Sequence, residues 1–278
     1  MKKISIFGTN GMLGNAVLQI FKEDKFNIIE INRNTIDAST AEVDKIIKTI
    51  DSSDYIINCV GLIKSYINDS NPSDVEQAIN INSIFPYKLS QTGVKVIQVA
   101  TDCVFDGQRG GYNESDKHNA LDVYGKTKSL GEINSNNFLN LRCSIIGLEK
   151  KNKKSLLEWF INQEKYANVN GFKNHYWNGI TTYAFAKICK GIINNNLWFP
   201  GLQHIVPSNS LCKADMLNVF SDVFTRQDIK INKINAEVGI NRTLTTTNIN
   251  KNKQLWQAGN YSEIPTIEEM IIDIKNYS

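Results

Sequence analysis

Tyr124 and Lys128, four apart in the run Tyr124-Gly-Lys-Thr-Lys128, are the pair in this chain best suited to moving a proton. On a helix that spacing puts both side chains on one face. A free phenol titrates near about 10 and is a poor proton shuttle at neutrality. An ammonium beside it stabilises the phenolate and lowers that value, which would make Tyr124 a usable acid or base. Thr101, upstream at the end of an apolar run, offers a hydroxyl for the same chemistry. Spacing alone is weak, because Tyr and Lys are ordinary helix-surface residues.

A second motif strengthens the first. Gly8-Thr-Asn-Gly11-Met-Leu-Gly14 follows the first apolar run and opens a helix-like segment. A dinucleotide pyrophosphate needs backbone N–H groups at close range and the positive end of a helix dipole, which glycines and a helix N-terminus supply. A plain strand–helix turn is the bland alternative. The next strand ends Ile31-Asn32-Arg33, with no carboxylate where one would bond a ribose 2′-hydroxyl. Glu30 is near, but strand alternation can turn it away. Arg33 suits a 2′-phosphate and tilts the cofactor towards NADP(H) over NAD(H), an exposed loop arginine being the alternative.

These residues need a scaffold, and residues 1–147 read as one. Ile4–Phe7, Asn27–Ile31, Tyr55–Val60, Val94–Ala100 and Phe138–Cys143 are strand-like and alternate with helix-like stretches, the rhythm of a parallel sheet covered on both faces. Ser39 and Glu42 have capping-box spacing before a helix whose apolar face is Val43, Ile46, Ile47 and Ile50. Asn71-Pro72 opens a helix expected to run to about Gln91, and another is expected from Asp122 to about Asn134. Beyond Gly147, helices are expected at 155–166, 183–194, 214–224 and 267–275, the last with a Thr266/Glu269 capping box. The expected fold is a doubly wound Rossmann-type α/β sheet, with 148–278 as a small, mainly substrate-binding cap in one continuous globular unit.

Composition removes other classes. A net charge of +3 without a long basic block leaves no footprint for nucleic acid or a membrane surface. The lysine run 150–154 reads as a solvated tip. No leader-like or membrane-spanning stretch is present, so a cytoplasmic location is expected. Five scattered cysteines (Cys59, Cys103, Cys143, Cys189, Cys212) and three isolated histidines (His118, His175, His204) suggest reduced thiols and no metal site.

Taken in order, the motifs resemble the extended short-chain dehydrogenases/reductases, in particular the dTDP-4-dehydrorhamnose reductase branch. The likeness rests on the glycine loop, Asn58-Cys-Val-Gly61, Ala78-Ile-Asn-Ile-Asn82, Thr101-Asp-Cys-Val-Phe-Asp-Gly107, Gly111-Tyr-Asn-Glu114, Tyr124-Gly-Lys-Thr-Lys-Ser-Leu-Gly-Glu132 and Arg142-Cys-Ser144. The resemblance implies that Gly8, Asn10, Gly11, Met12, Leu13 and Gly14 cradle the pyrophosphate, with Asn32, Arg33 and Asp37 on the adenosine side. Cys59, Val60 and Gly61 would line the path to the nicotinamide ribose, which Lys128 would also bond. Asn82 would steady the site, or act as a plain buried amide. Thr101 would hydrogen-bond the substrate oxygen and Tyr124 would deliver the proton.

The implied reaction is NADPH-dependent reduction of a 4-keto-6-deoxy nucleotide sugar, dTDP- or UDP-linked, for deoxysugar or polysaccharide precursors. Two departures touch the sugar side. Cys103 stands where the family usually has an aromatic residue, and Ile145 where it usually has tryptophan. With Asp102, these border the expected sugar pocket, so an N-acetylated sugar on UDP is a candidate. The segment Gly171–Thr182 is the expected substrate-side loop, with Asn174, His175, Trp177 and Asn178 as its polar contacts or, equally, as loop packing. The rivals are an epimerase or dehydratase of the same superfamily and a non-catalytic NADP-binding regulatory subunit. The partner is a nucleotide sugar, and a homodimer is left open.

Overall fold

The computed structural model describes residues 1–149, 153 and 155–277. Apart from Lys153, the lysines of the run at 150–154 lie outside the described residues. The chain begins β1 (Lys3–Phe7), α1 (Met12–Lys22), β2 (Asn27–Ile31), α2 (Val43–Ile50), β3 (Tyr55–Asn58) and α3 (Pro72–Ile79). It continues through a π-turn (Asn80–Ile84), α4 (Phe85–Ser90), β4 (Lys95–Ala100), a 3-10 turn (Asp102–Val104), α5 (Val123–Leu130) and β5 (Phe138–Arg142). There follow β6 (Ile145–Ile146), α6 (Leu156–Ile161), β7 (Asn168–Phe172), β8 (His175–Trp177), β9 (Ile180–Thr181), α7 (Thr182–Asn194) and β10 (Gly201–His204). The last elements are β11 (Leu211–Cys212), α8 (Lys213–Val223), β12 (Lys230–Ile234), β13 (Ile240–Asn241), α9 (Ile249–Ala258) and α10 (Ile267–Asn276).

Six strands form one parallel sheet in the order β10-β5-β4-β3-β1-β2. Period-two alternation sorts its side chains onto two faces. Ile4, Ile6, Ile57, Ile97, Leu139 and Leu141 pack with Val17 and Phe21 of α1 and Phe185, Ile188 and Ile192 of α7. Phe7, Ile56, Val96 and Phe138 point the other way, onto Ile46 and Ile50 of α2 and Phe85 and Leu89 of α4. The chain reverses direction across the sheet between β1 and β3, so the carboxyl ends of these neighbours form the topological switch point at which open α/β sheets hold ligands. The expected fold class is the observed one.

Several local expectations need correction. Glu42, not Ser39, precedes α2 as its N-cap, without a side-chain cap bond. The Ser39 hydroxyl instead donates to Asp37 Oδ1 at 2.7 Å, so no Ser39/Glu42 capping box forms. Ile47 is exposed rather than on the core face. The helix expected to run unbroken from 72 to 91 contains the π-turn, because Pro86 has no N–H for the Asn82 carbonyl and the ladder widens there. The third strand stops at Asn58, the helix from Ser155 ends at Ile161 and α5 at Leu130. The Thr266/Glu269 capping box is present. Among the elements that the sequence pattern did not mark are β10, which extends the main sheet beside β5, and α9, which packs on α7.

Candidate active site

The glycine loop leaves β1 and enters α1 at the switch point. Gly8 N donates to Ile31 O at 2.8 Å and Gly11 N to Gly8 O at 2.9 Å, which folds the turn against β2. A Cβ on Gly14 would lie 2.1 Å from Gly8 O, so only glycine lets the helix start this close to the loop. Gly11 is the N-cap of α1; no side chain caps it, and no acid occupies the first turn. Those amides, at the positive end of α1, suit a pyrophosphate.

Beyond β4, Thr101 caps the 3-10 turn. Its Oγ1 accepts from Cys103 N at 3.2 Å and donates to Asp102 Oδ1 at 3.3 Å. Helix α5 is brought onto this turn by Gly125, where a Cβ would meet Cys103 O and the Ala120 Cβ at 2.4 Å each. The Asp122 carboxylate starts the helix by accepting from Gly125 N at 2.7 Å and is itself held by Lys64 at 2.8 Å. Tyr124 and Lys128 therefore face the cavity from one helical turn.

Asn82 connects the walls. On the π-turn and buried, it accepts from Leu62 N at 2.8 Å, donates to Leu62 O at 3.0 Å and reaches Thr127 Oγ1 at 3.2 Å. One amide thus clamps the loop after β3 to α5. A Cβ on Gly61 would lie 3.6 Å from Asn82 Oδ1 and 3.9 Å from Lys128 Nζ, so the three residues meet at one point.

The cavity enclosed by these parts measures about 490 Å³, within the range of small-molecule sites. Of the expected residues it gathers Asn10, Gly11, Met12, Leu13, Cys59, Val60, Gly61, Thr101, Asp102, Cys103, Tyr124, Lys128 and Ile145. Gly8 and Gly14 shape the loop from behind, and Asn82 braces it. Asn32, Arg33 and Asp37 lie outside the cavity wall at the end of β2. There Arg33 Nε pairs with Asp37 Oδ2 at 3.0 Å, and the hydroxyl and amide of Ser39 hold the Asp37 carboxyl below its usual range. Ser144, from the Arg142-Cys-Ser144 motif, also lines the cavity, as do Tyr66 and Glu149, which carried no motif signal.

The four polar candidates of the 171–182 segment are elsewhere. Asn174 exchanges both amide groups with the backbone of Ala236, at 2.8 and 2.9 Å. Asn178 does the same with Leu244, at 2.7 and 2.8 Å, and His175 Nε2 meets Val238 O at 3.0 Å. Trp177 is buried. The polar atoms of Asn174, His175 and Asn178 tether the 236–244 strap, and none of the four lines the cavity.

Electrostatics differ from the expectation at one point. Burial pushes the Tyr124 phenol well above 10, reinforced by the Cys103 thiol and opposed by the Thr101 hydroxyl. The Lys128 Nζ donates to Val99 O at 3.1 Å, and burial brings its own ammonium below the usual value. Burial also raises the Asp102 carboxyl and the Cys103 thiol, the latter to about 12.

Residues 1–237 match the family model for the RmlD substrate binding domain. The chain belongs to that family, the dTDP-4-dehydrorhamnose reductase-like branch of the extended short-chain dehydrogenases/reductases. Among curated proteins it is 26% identical over 260 residues to methionine adenosyltransferase 2 subunit beta of Xenopus tropicalis, covering 85% of this chain and 76% of that one. It is 27% identical over 140 residues to dTDP-4-dehydrorhamnose reductase of Aggregatibacter actinomycetemcomitans, covering 48% and 46%. In fold it resembles the dTDP-4-dehydrorhamnose reductase of Bacillus anthracis solved in complex with NADP, with a TM-score of 0.81 and 17% identity over all of both chains. Among the described residues, no helix is long and apolar enough to cross a membrane.

Proposed function

We propose that this chain reduces the 4-keto group of a dTDP- or UDP-linked 4-keto-6-deoxy sugar with NADPH, an N-acetylated sugar included in its range. The observation that carries this reading is the convergence of Thr101, Tyr124 and Lys128 with the glycine loop on one cavity. The uncapped, acid-free start of α1 fits a dinucleotide pyrophosphate, and the related Bacillus anthracis structure holds NADP. When bound, the nicotinamide supplies a hydride. The rest of the chemistry belongs to the protein.

Reduction consumes a proton, so the donor must begin protonated. Burial keeps the Tyr124 phenol in that form at neutral pH. The donor bond from Thr101 to Asp102 is long at 3.3 Å, which leaves the hydroxyl free to turn to a carbonyl oxygen. Lys128 stands one turn along, ready to offset the phenolate left after transfer. A thiol at about 12 makes Cys103 a poor second base, which favours reduction over an epimerase or dehydratase. The portion 148–278 serves mainly as the substrate-side cap, and Arg33 favours NADPH over NADH. The test is oxidation of NADPH and NADH with dTDP-, UDP- and GDP-linked 4-keto-6-deoxy sugars. Turnover with one of them supports the reading, and none with any of them overturns it.

A second reading is favoured by the likeness to methionine adenosyltransferase 2 subunit beta: a binding protein that holds the dinucleotide without turning it over. It predicts tight NADP(H) binding and no oxidation with any keto sugar.

A further inference from the structure

Thr101 and Tyr124 sit on different elements, so their separation depends on what holds the turn after β4 against α5. The turn is only three residues long, closed by Phe105 N donating to Asp102 O at 3.0 Å, and a single 3-10 turn holds little shape alone. From the α5 side, Asn119 N and Ala120 N donate to Val104 O at 3.1 and 3.0 Å, and Gly125 admits Cys103 O at close range.

The opposite side is held by the 236–244 strap. Arg242 Nε donates to Phe105 O at 2.9 Å, and its Nη2 donates to Asp106 O at 3.2 Å. Asn241 N donates to Gly107 O at 2.6 Å. Gly107 has a φ of +83°, and a Cβ there would lie 2.9 Å from Arg242 Cγ, so the arginine stem runs close against this backbone. Two neighbouring donors of one planar fork thus engage two successive carbonyls, which a single ammonium cannot do. Arg242 does not line the cavity, so it meets the reacting atoms only through the turn. It also lies beyond residues 1–237, those that the family model matches.

We propose that Arg242 is a positioning residue for the reduction: through the Phe105 and Asp106 carbonyls it sets the Thr101–Cys103 turn against Tyr124. The assignment rests on the function proposed above. It gives the C-terminal portion a part in the chemistry besides covering the substrate.

The test compares wild type, Arg242→Met and Arg242→Lys by steady-state kinetics and by amide hydrogen exchange. The kinetics use NADPH with dTDP- and UDP-linked 4-keto-6-deoxy sugars. Arg242→Met should lower kcat at least tenfold, with KM and NADPH affinity within threefold of wild type. Arg242→Lys, which keeps one donor, should fall between the two. Exchange in Arg242→Met should quicken at least tenfold at Cys103 and Phe105, whose amides are bonded within the turn, and stay unchanged in β4. A normal kcat, a loss spread equally over kcat, KM and NADPH affinity, or unchanged exchange at the turn overturns the assignment. If Arg242→Met does not fold, Arg242→Lys carries the test: a lowered kcat at unchanged KM supports the assignment, and a wild-type kcat overturns it. If the wild type reduces none of the sugars, the proposed function fails and this assignment with it; if it reduces one and Arg242→Met matches it, only Arg242 is wrong.

Discussion

Two buried charged clusters sit at the same end of the paired strands β4 and β5 and are built in opposite ways. Behind the cavity, Arg142 is fully buried and bonded through all three of its side-chain nitrogens. It donates to Glu132, to His204 Nε2 at 2.8 Å and to His118 Nε2 at 2.6 Å. Because arginine can only donate, both histidines accept through Nε2 and carry their proton on Nδ1. That proton goes to Thr245 O from His204 at 2.7 Å and to Ser129 Oγ from His118 at 2.6 Å. Along the cavity wall, the buried Lys128 and Asp102 and the half-buried Tyr124 have few such partners, and burial dominates the titration of each. A satisfied network holds a fold in register, whereas groups desolvated without full compensation mark where a ligand completes the site. Ala100 and Arg142 are register partners, so a single step along the chain to Thr101 separates the two kinds of cluster.

The sharpest way to break the contrast is to remove one member of each cluster. Tyr124→Phe deletes the proposed donor and nothing structural. Turnover should drop by about 10²–10⁴-fold, with NADP(H) affinity and melting temperature unchanged. Near-normal turnover in steady-state assays would mean that Tyr124 is not the proton source. Arg142→Met should do the reverse. It leaves Glu132 buried without its partner, at a cost of about 3–5 kcal/mol, read by urea unfolding. A melting point close to that of wild type would show that the network is ornamental.

The network should also carry an acid limit. Burial, aided by Arg142, brings His204 down from its ordinary value to about 4. His118 is lowered too, chiefly by burial. Between about 6.5 and 4 the unfolded chain binds a proton at position 204 that the folded chain refuses, so unfolding takes up a proton. Stability is therefore intact above about 6.5 and falls as pH drops to about 4, by about 3 kcal/mol for His204 alone. Denaturant titrations at several pH values check this, and His204→Gln should flatten most of the slope. An unchanged slope in that variant would place the titration elsewhere.

The contrast also explains what could be read in the sequence. The glycine loop, Thr101, and the Tyr124/Lys128 pair were legible because each depends on local spacing within regular elements, and the cavity gathers them. The sheet was legible because both faces are covered and alternation sorts them cleanly. The Ser39 cap failed through a competition that spacing does not encode, the Asp37 carboxylate taking the hydroxyl. The π-turn at Asn82 depends on Pro86 four residues later and on where Leu62 arrives from another loop. Asn174 and Asn178 looked like sugar contacts because a polar loop residue and a backbone tether share one composition.

That last ambiguity gives the next test. Asn178→Ala should cost about 1–3 kcal/mol by orphaning the Leu244 backbone groups, while KM for the keto sugar changes little. A large rise in KM without loss of stability would return the residue to the substrate side.

The smallest expected effect concerns the cofactor. The Arg33 guanidinium is 70% exposed and already paired with Asp37, so its attraction for a 2′-phosphate is weakened by water and by that carboxylate. Arg33→Ser should lower the ratio of kcat/KM for NADPH over NADH by about fivefold at most, since an exposed charge contact is worth about 1 kcal/mol or less. Asp37→Asn should move the ratio the other way, because it releases Arg33 from a competing anion. Both changes should shrink as salt is raised, since exposed charges are screened. Opposite movement of the two variants would identify the pair as the element that selects between the cofactors. Movement in the same direction would mean that Asp37 acts through the Ser39 turn it holds, and that Arg33 reads no phosphate.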